Sequence, residues 1–164
     1  MDRRRFRLLW ILLAGLLVAI FLKRDGDSGI DGRTIELDRL NVAWLDGASW
    51  QVDGRPVLVT FWATWCPACK VAIPELRGLA ETDALDVVGL ALDSEASKVQ
   101  GFAEKHGMAY PLALDKGEFL GRFDGANLPH SVLLAADGRV LGVYRGAVLR
   151  QNVVEDLERF REAL

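Results

Sequence analysis

Two cysteines, the only ones in 164 residues, stand two residues apart at Cys66 and Cys69, inside Phe61-Trp62-Ala63-Thr64-Trp65-Cys66-Pro67-Ala68-Cys69-Lys70. The apolar stretch Val57-Leu58-Val59 precedes them, so the pair falls where a strand gives way to a helix. Positions three apart share a helix face, which lets the two sulfurs close a very small disulfide ring. Pro67 then takes the first helical position, where its missing N–H costs nothing and its fixed φ suits the helix. Cys66 is placed beside the unpaired N–H groups and positive dipole end of that helix, which favour thiolate over thiol; such thiols titrate at roughly 3.5 to 7.5. Cys69, one turn further in, is the shielded partner that resolves a mixed disulfide.

Other uses of a Cys-x-x-Cys pair fit less well. A zinc site needs about four ligands, and only His106 and His130 are available besides the cysteines. Haem attachment needs histidine after the second cysteine, where this chain has Lys70. A purely structural disulfide across so short a loop stabilises little, because the entropy it removes grows with loop length. Cu(I) held by the two soft thiolates, as in a copper-resistance protein, is the alternative from another functional class. Only Met1 and Met108 add soft ligands to it.

The segment from Val57 to Pro74 resembles the active-site segment of the thioredoxin superfamily, specifically its membrane-tethered TlpA-, ResA- and DsbE-like branch with the ScsD-like disulfide oxidoreductases. The similarity in pattern extends over about residues 36 to 164. It implies an α/β thioredoxin-like fold, a central mixed sheet flanked by helices, with an N-terminal strand or hairpin extension and a βα insertion. It also implies thiol-disulfide exchange with protein substrates, no bound organic cofactor and no metal. The electrons would pass to or from a membrane redox partner, either DsbD- or ScsB-like or a quinone-linked oxidase.

The same resemblance assigns further residues. Pro129, in Asn127-Leu128-Pro129-His130, takes the place of the superfamily's cis-proline facing the cysteines, and the backbone of Leu128 would pair with an extended substrate segment. Trp65 would shape an apolar floor around the sulfur. Pro67, Ala68 and His130 are candidate modulators, His130 because an imidazole beside a thiol stabilises thiolate or moves protons near neutral pH. Two departures stand out. Thioredoxins carry a buried aspartate where this chain has Thr60, and many TlpA- and ResA-like reductases carry a glutamate where it has Ala72. Without a base near Cys69, completing the reduction of a substrate slows, which favours oxidase- or isomerase-like use. Glu75 is a candidate substitute.

The first residues bear on location. Arg3, Arg4, Arg5 and Arg7 precede the uncharged run from Leu8 to Leu22, and Lys23-Arg24-Asp25 follows. As a helix that run spans roughly 22 Å, shorter than a usual crossing of about 20 residues. It ends in bulky Val18-Ala19-Ile20-Phe21-Leu22, without the small residues of a cleavage site. Residues 1–24 are therefore expected to form an uncleaved transmembrane signal anchor, lengthened by Phe6 and snorkelling arginines. Its positive N-terminal flank puts the rest outside the cytoplasm: a single-pass protein of the inner membrane with its catalytic domain in the periplasm. Residues 25–34 are the linker and 35–164 the thioredoxin-like domain. Beyond residue 24 the chain has 14 Lys+Arg and 22 Asp+Glu, 14 − 22 = −8, against −3 for the whole. That balance argues against nucleic acid as a partner.

Pattern supplies the remaining elements. Residues 35–52 suggest a strand or hairpin, Val57–Trp62 a central strand, Cys66–Ala80 a helix bent at Pro74, and Asp86–Leu92 a buried parallel strand. Ser97 is a candidate cap for a helix ending near His106-Gly107, with His106 capping its C-terminus. An edge strand over 110–113, a short helix over 116–123, strands 131–135 and 139–144 around Ala136-Asp137-Gly138, and a helix from Arg150 to Ala163 complete the order. Val153, Val154, Leu157 and Phe160 form the stripe of that last helix.

Overall fold

The computed structural model describes residues 34–35, 42–45, 47, 50–115, 118–123, 125 and 127–162. The apolar run 8–22, its arginine flank and the linker up to residue 33 lie outside these residues. Among the described residues no helix is long and apolar enough to cross a membrane.

Among the described residues six strands form one sheet in the order β1-β4-β3-β2-β5-β6: β1 (Ala43–Trp44), β2 (Val57–Trp62), β3 (Asp86–Ala91), β4 (Leu112–Leu114), β5 (His130–Leu134) and β6 (Val140–Arg145). The helices are α1 (Pro67–Ala80), α2 (Ala96–His106), α3 (Glu118–Arg122) and α4 (Arg150–Glu162). Strands β2, β3 and β4 run parallel, whereas β5 is antiparallel to β2 and β6 to β5. Helices α1 and α2 make the two parallel crossovers, which is the mixed thioredoxin-like sheet with a helix and strand inserted in its middle. Every residue of β2 is buried because helices cover both faces of the sheet, and its sequence accordingly reads as an unbroken apolar run.

Side chains alternate between those faces. Leu58, Trp62, Val87 and Leu133 point into a core with α1, α2 and α4, through Ile73, Leu76, Val99, Val153 and Leu157. Val57, Val59, Phe61, Val88 and Val132 point the other way, onto Phe119 and Phe123 from and just after α3. Two glycines are required by close approach. A Cβ on Gly89 would meet Leu112 at 2.5 Å, and one on Gly138, already at φ +83°, would meet the Ile35 carbonyl oxygen at 1.9 Å. Gly138 thus closes the β5–β6 turn, with Asp137 Oδ1 accepting from the Arg139 N–H at 3.0 Å.

Several expectations are corrected. The 110–113 segment is not at the edge, because Ala43 and Trp44 pair outside β4. Of the strand or hairpin expected over residues 35–52, the strand is present as β1, and Thr34 before it bridges Arg139 beyond the other sheet edge. Helix α2 is capped at Glu95 without a side-chain bond, and Ser97 is its second residue. Gly107 ends it in the left-handed conformation, φ 63°, while the His106 ring stacks on Phe102 at 4.2 Å. Val154 is exposed, so the inner stripe of α4 is Val153 and Leu157, with Phe160 partly buried under Arg139.

Candidate functional site

The reactive segment is built where β2 ends. Cys66 is the N-cap residue of α1, in extended conformation, and Pro67 is the first helical residue. Cys66 and Cys69 are joined as a disulfide with Cα atoms 5.3 Å apart. The Cys69 backbone N–H donates to Cys66 Sγ at 3.1 Å. Cys66 Sγ is therefore the atom that satisfies an orphan donor of the helix start, the role a Ser or Asp oxygen plays at other helices. Both cysteines are nearly buried, whereas Pro67 and Ala68 between them are exposed.

A buried carboxylate holds the approach to the helix. Asp93, just beyond β3, accepts from the Thr64 N–H at 2.8 Å and from the Thr64 hydroxyl at 2.6 Å. The turn two residues before Cys66 is thereby pinned to the neighbouring strand. Its sequence signal, an acidic residue just beyond a largely apolar strand, is shared with any solvent-facing strand end.

Pro129 follows from register. Phe61 pairs with His130 in the antiparallel β2–β5 ladder, so Pro129 stands opposite Trp62, where the chain turns toward Cys66. The Leu128–Pro129 peptide is cis, and the Pro129 carbonyl accepts from the Gly146 N–H at 2.9 Å. Leu128 is half-buried and packs against the cluster that contains both cysteines.

Other assignments change. Trp65 is 62% exposed, so it stands out beside the disulfide and forms no floor. Trp62 is the buried one, with its ring 5.5 Å from that of Phe102. His130 shares the face of Phe61, its cross-strand partner, and packs 6.1 Å from that ring. Its Nε2 bonds the Phe123 carbonyl at 2.8 Å, on the side of the sheet opposite the cysteines. It therefore does not meet Cys66. Glu75 accepts from the Arg150 N–H at 3.0 Å, which commits it to the start of α4. Thr60 is buried and accepts from the Ser131 hydroxyl at 2.9 Å, so two neutral hydroxyls fill the place of the thioredoxin aspartate. Ala72 is buried within α1. Among the described residues no group of three or more His, Cys, Asp and Glu side chains is placed to hold a metal ion.

Residues 48–160 match a protein-family model described as Redoxin. A thiol-disulfide oxidoreductase ResA of Halalkalibacterium halodurans is 25% identical over 180 aligned positions, covering 96% of each chain. A ResA of Bacillus thuringiensis is 29% identical over 135, covering 80% of this chain and 69% of its own. The crystal structure of a thiol-disulfide isomerase from Corynebacterium glutamicum superposes with a TM-score of 0.67 at 19% identity, covering 78% of this chain and 95% of that one.

Proposed function

The chain belongs to the redoxin family, in the ResA- and DsbE-like branch of the thioredoxin superfamily, and from that premise we propose that it exchanges disulfides with protein substrates through Cys66 and Cys69. The observation that carries the reading is the Cys69 N–H donating to Cys66 Sγ at the start of α1. The donor and dipole that stabilise a Cys66 thiolate are already aimed at the sulfur, so Cys66 is the better leaving group and the attacking atom.

In the oxidising direction a substrate thiolate attacks Cys66 Sγ. The Cys66–Cys69 bond breaks, and Cys69 leaves as a thiolate that takes up a proton. A second substrate thiolate then attacks the substrate sulfur of the mixed disulfide, releasing Cys66 as thiolate. Two electrons have moved from substrate to protein, and reduction is the reverse. Glu75 is held by α4, Asp93 by Thr64, and Thr60 and Ala72 carry no charge, which favours oxidising or isomerising use. Protein substrates suit the surroundings. Trp65 is exposed beside the disulfide, and Val71 on α1 and Leu149 just before α4 are exposed as well, which offers apolar contact to an unfolded chain.

We place the domain in the periplasm, tethered to the inner membrane through residues 8–22 and coupled there to a membrane redox partner; the arginines before that run support this orientation. A C-terminal alkaline phosphatase fusion, active only outside the cytoplasm, should be active and sediment with membranes. An inactive or soluble fusion contradicts the placement.

Trapping tests the chemistry. Full-length Cys69→Ser protein mixed with a disulfide-bonded substrate should accumulate a mixed disulfide through Cys66, and Cys66→Ser protein should not. Adducts that persist without Cys66, or none in either variant, contradict the reading. The reduction potential separates directions: a couple near about −120 mV is an oxidant and one near about −270 mV a reductant.

A further inference from the structure

A depression of about 380 Å³ lies beside the reactive turn, lined by Trp65, Lys70, Lys98, Phe102, Lys105 and His106. The reactive turn supplies Trp65 and α1 supplies Lys70, so the wall is continuous in sequence with both cysteines. Helix α2 supplies the rest at positions 98, 102, 105 and 106, spacings of three and four that gather them on one face. The half-buried Phe102 ring is the floor. It packs on Trp62 and His106, and the Lys70 ammonium lies 5.8 Å from its centroid.

The charge of this groove is opposite to that of the domain. Three exposed lysines converge on it, and no carboxylate lines it. Of these three lysines only Lys98 forms an ion pair among the described residues, with Asp93 at 3.9 Å, and the Asp93 oxygens already hold Thr64. Yet the chain beyond residue 24 carries −8, from 14 − 22 charged residues. The net charge disfavours an acidic polypeptide, but here it meets three lysines, and their stems and two aromatic faces also offer apolar contact.

Resting on the exchange activity proposed above, we propose that the groove receives an acidic segment of the partner protein lying within a few residues of the cysteine that joins to Cys66. Carboxylates of that segment meet Lys70, Lys98 and Lys105, and an apolar side chain seats on Trp65 and Phe102. The groove thus selects which thiols reach Cys66 and orients them, and it takes no part in the bond exchange itself. A polypeptide is the occupant because Trp65 and Lys70 in the groove wall directly adjoin Cys66 and Cys69 in the chain, so a segment continuous with the reacting cysteine reaches it.

The test uses oxidised full-length protein in neutral detergent and two dithiol peptides that differ only by Glu→Gln at the positions flanking one cysteine. At low ionic strength the acidic peptide should be oxidised about tenfold faster, equivalent to about 1.4 kcal/mol. That preference should vanish by about 1 M salt, where the Debye length falls to about 3 Å. Lys105→Glu should abolish most of it while leaving the rate with uncharged dithiothreitol unchanged. The milder Lys105→Gln should lower it in part. Peptides with serine for cysteine, read by fluorescence anisotropy, report groove binding without exchange and should show the same ordering. Equal rates and equal binding of the two peptides at low salt overturn the groove proposal alone. Failure to react even with dithiothreitol overturns the exchange reading, while the serine peptides still decide the groove.

Discussion

Adjacent rungs of one β-ladder carry opposite kinds of side chain. At Thr60 and Ser131 two hydroxyls bond to each other, both buried, on the face covered by α1. One residue along, Phe61 and His130 point to the other face, where Phe123 packs 5.2 Å from Phe61 and its carbonyl bonds the imidazole. The first face holds the reactive sulfurs and the second holds an aromatic core. A period of two therefore separates chemistry from stability within a single pair of strands. Changes on the second face should cost stability and leave exchange intact in whatever fraction stays folded.

Phe123→Ala is the strongest way to break that separation. Its side chain is fully buried, so the cavity should lower stability by about 3 to 5 kcal/mol in urea melts. The Cys66–Cys69 reduction potential of the folded fraction should not move, and a shifted potential would show that the faces communicate. His130→Phe comes next. It leaves the Phe123 carbonyl unbonded by the ring and should cost about 1 to 3 kcal/mol, with the pH profile of exchange unchanged. A profile displaced near neutral pH would return His130 to the site.

Tyr110 gives a smaller, pH-limited effect. Burial pushes its phenol well above the usual value of 10.0, so its folded-state pKa is raised. The corresponding stability is fully present below about pH 10 and is lost as pH rises beyond it, because the unfolded chain ionises first. The slope is at most about 1.4 kcal/mol per pH unit for this group. Tyr110→Phe should remove that share of the alkaline slope, and an unaltered slope would contradict the buried assignment. Thr60→Val is the gentlest change and sits on the reactive face. It deletes the Ser131 acceptor and should cost about 1 kcal/mol. It should also leave the rate at which Cys69 resolves a mixed disulfide unchanged, since neither hydroxyl is a base.

How much of this was readable from the chain depends on how local its cause is. The β2–α1 junction is written in contiguous residues: an apolar run, a cysteine that can cap, and a proline suited to the first helical turn. The β5–β6 turn is equally local, set by Asp137 and Gly138. Non-local pairing hid the rest. Which face His130 takes depends on its register against Phe61, 130 − 61 = 69 residues away in the chain. That Glu75 serves α4 and Asp93 serves Thr64 depends on how helices and strands meet, and an isolated acidic residue gives no sign of it. Ser97 has the chemistry of a cap, yet α2 begins one residue before it, and the cap position is Glu95. Trp65 is aromatic beside a buried cysteine, but the turn that buries Thr64 and Cys66 points it outward.

The central claim is that the start of α1 makes Cys66 the nucleophile. Its most direct test is the rate of iodoacetamide alkylation of the reduced full-length protein against pH, with each cysteine read separately by peptide mass. Cys66 should react first, with an apparent pKa well below the free-thiol value of about 8.5, within roughly 3.5 to 7.5. If Cys69 is alkylated first, or if Cys66 titrates at or above about 8.5, the account is wrong.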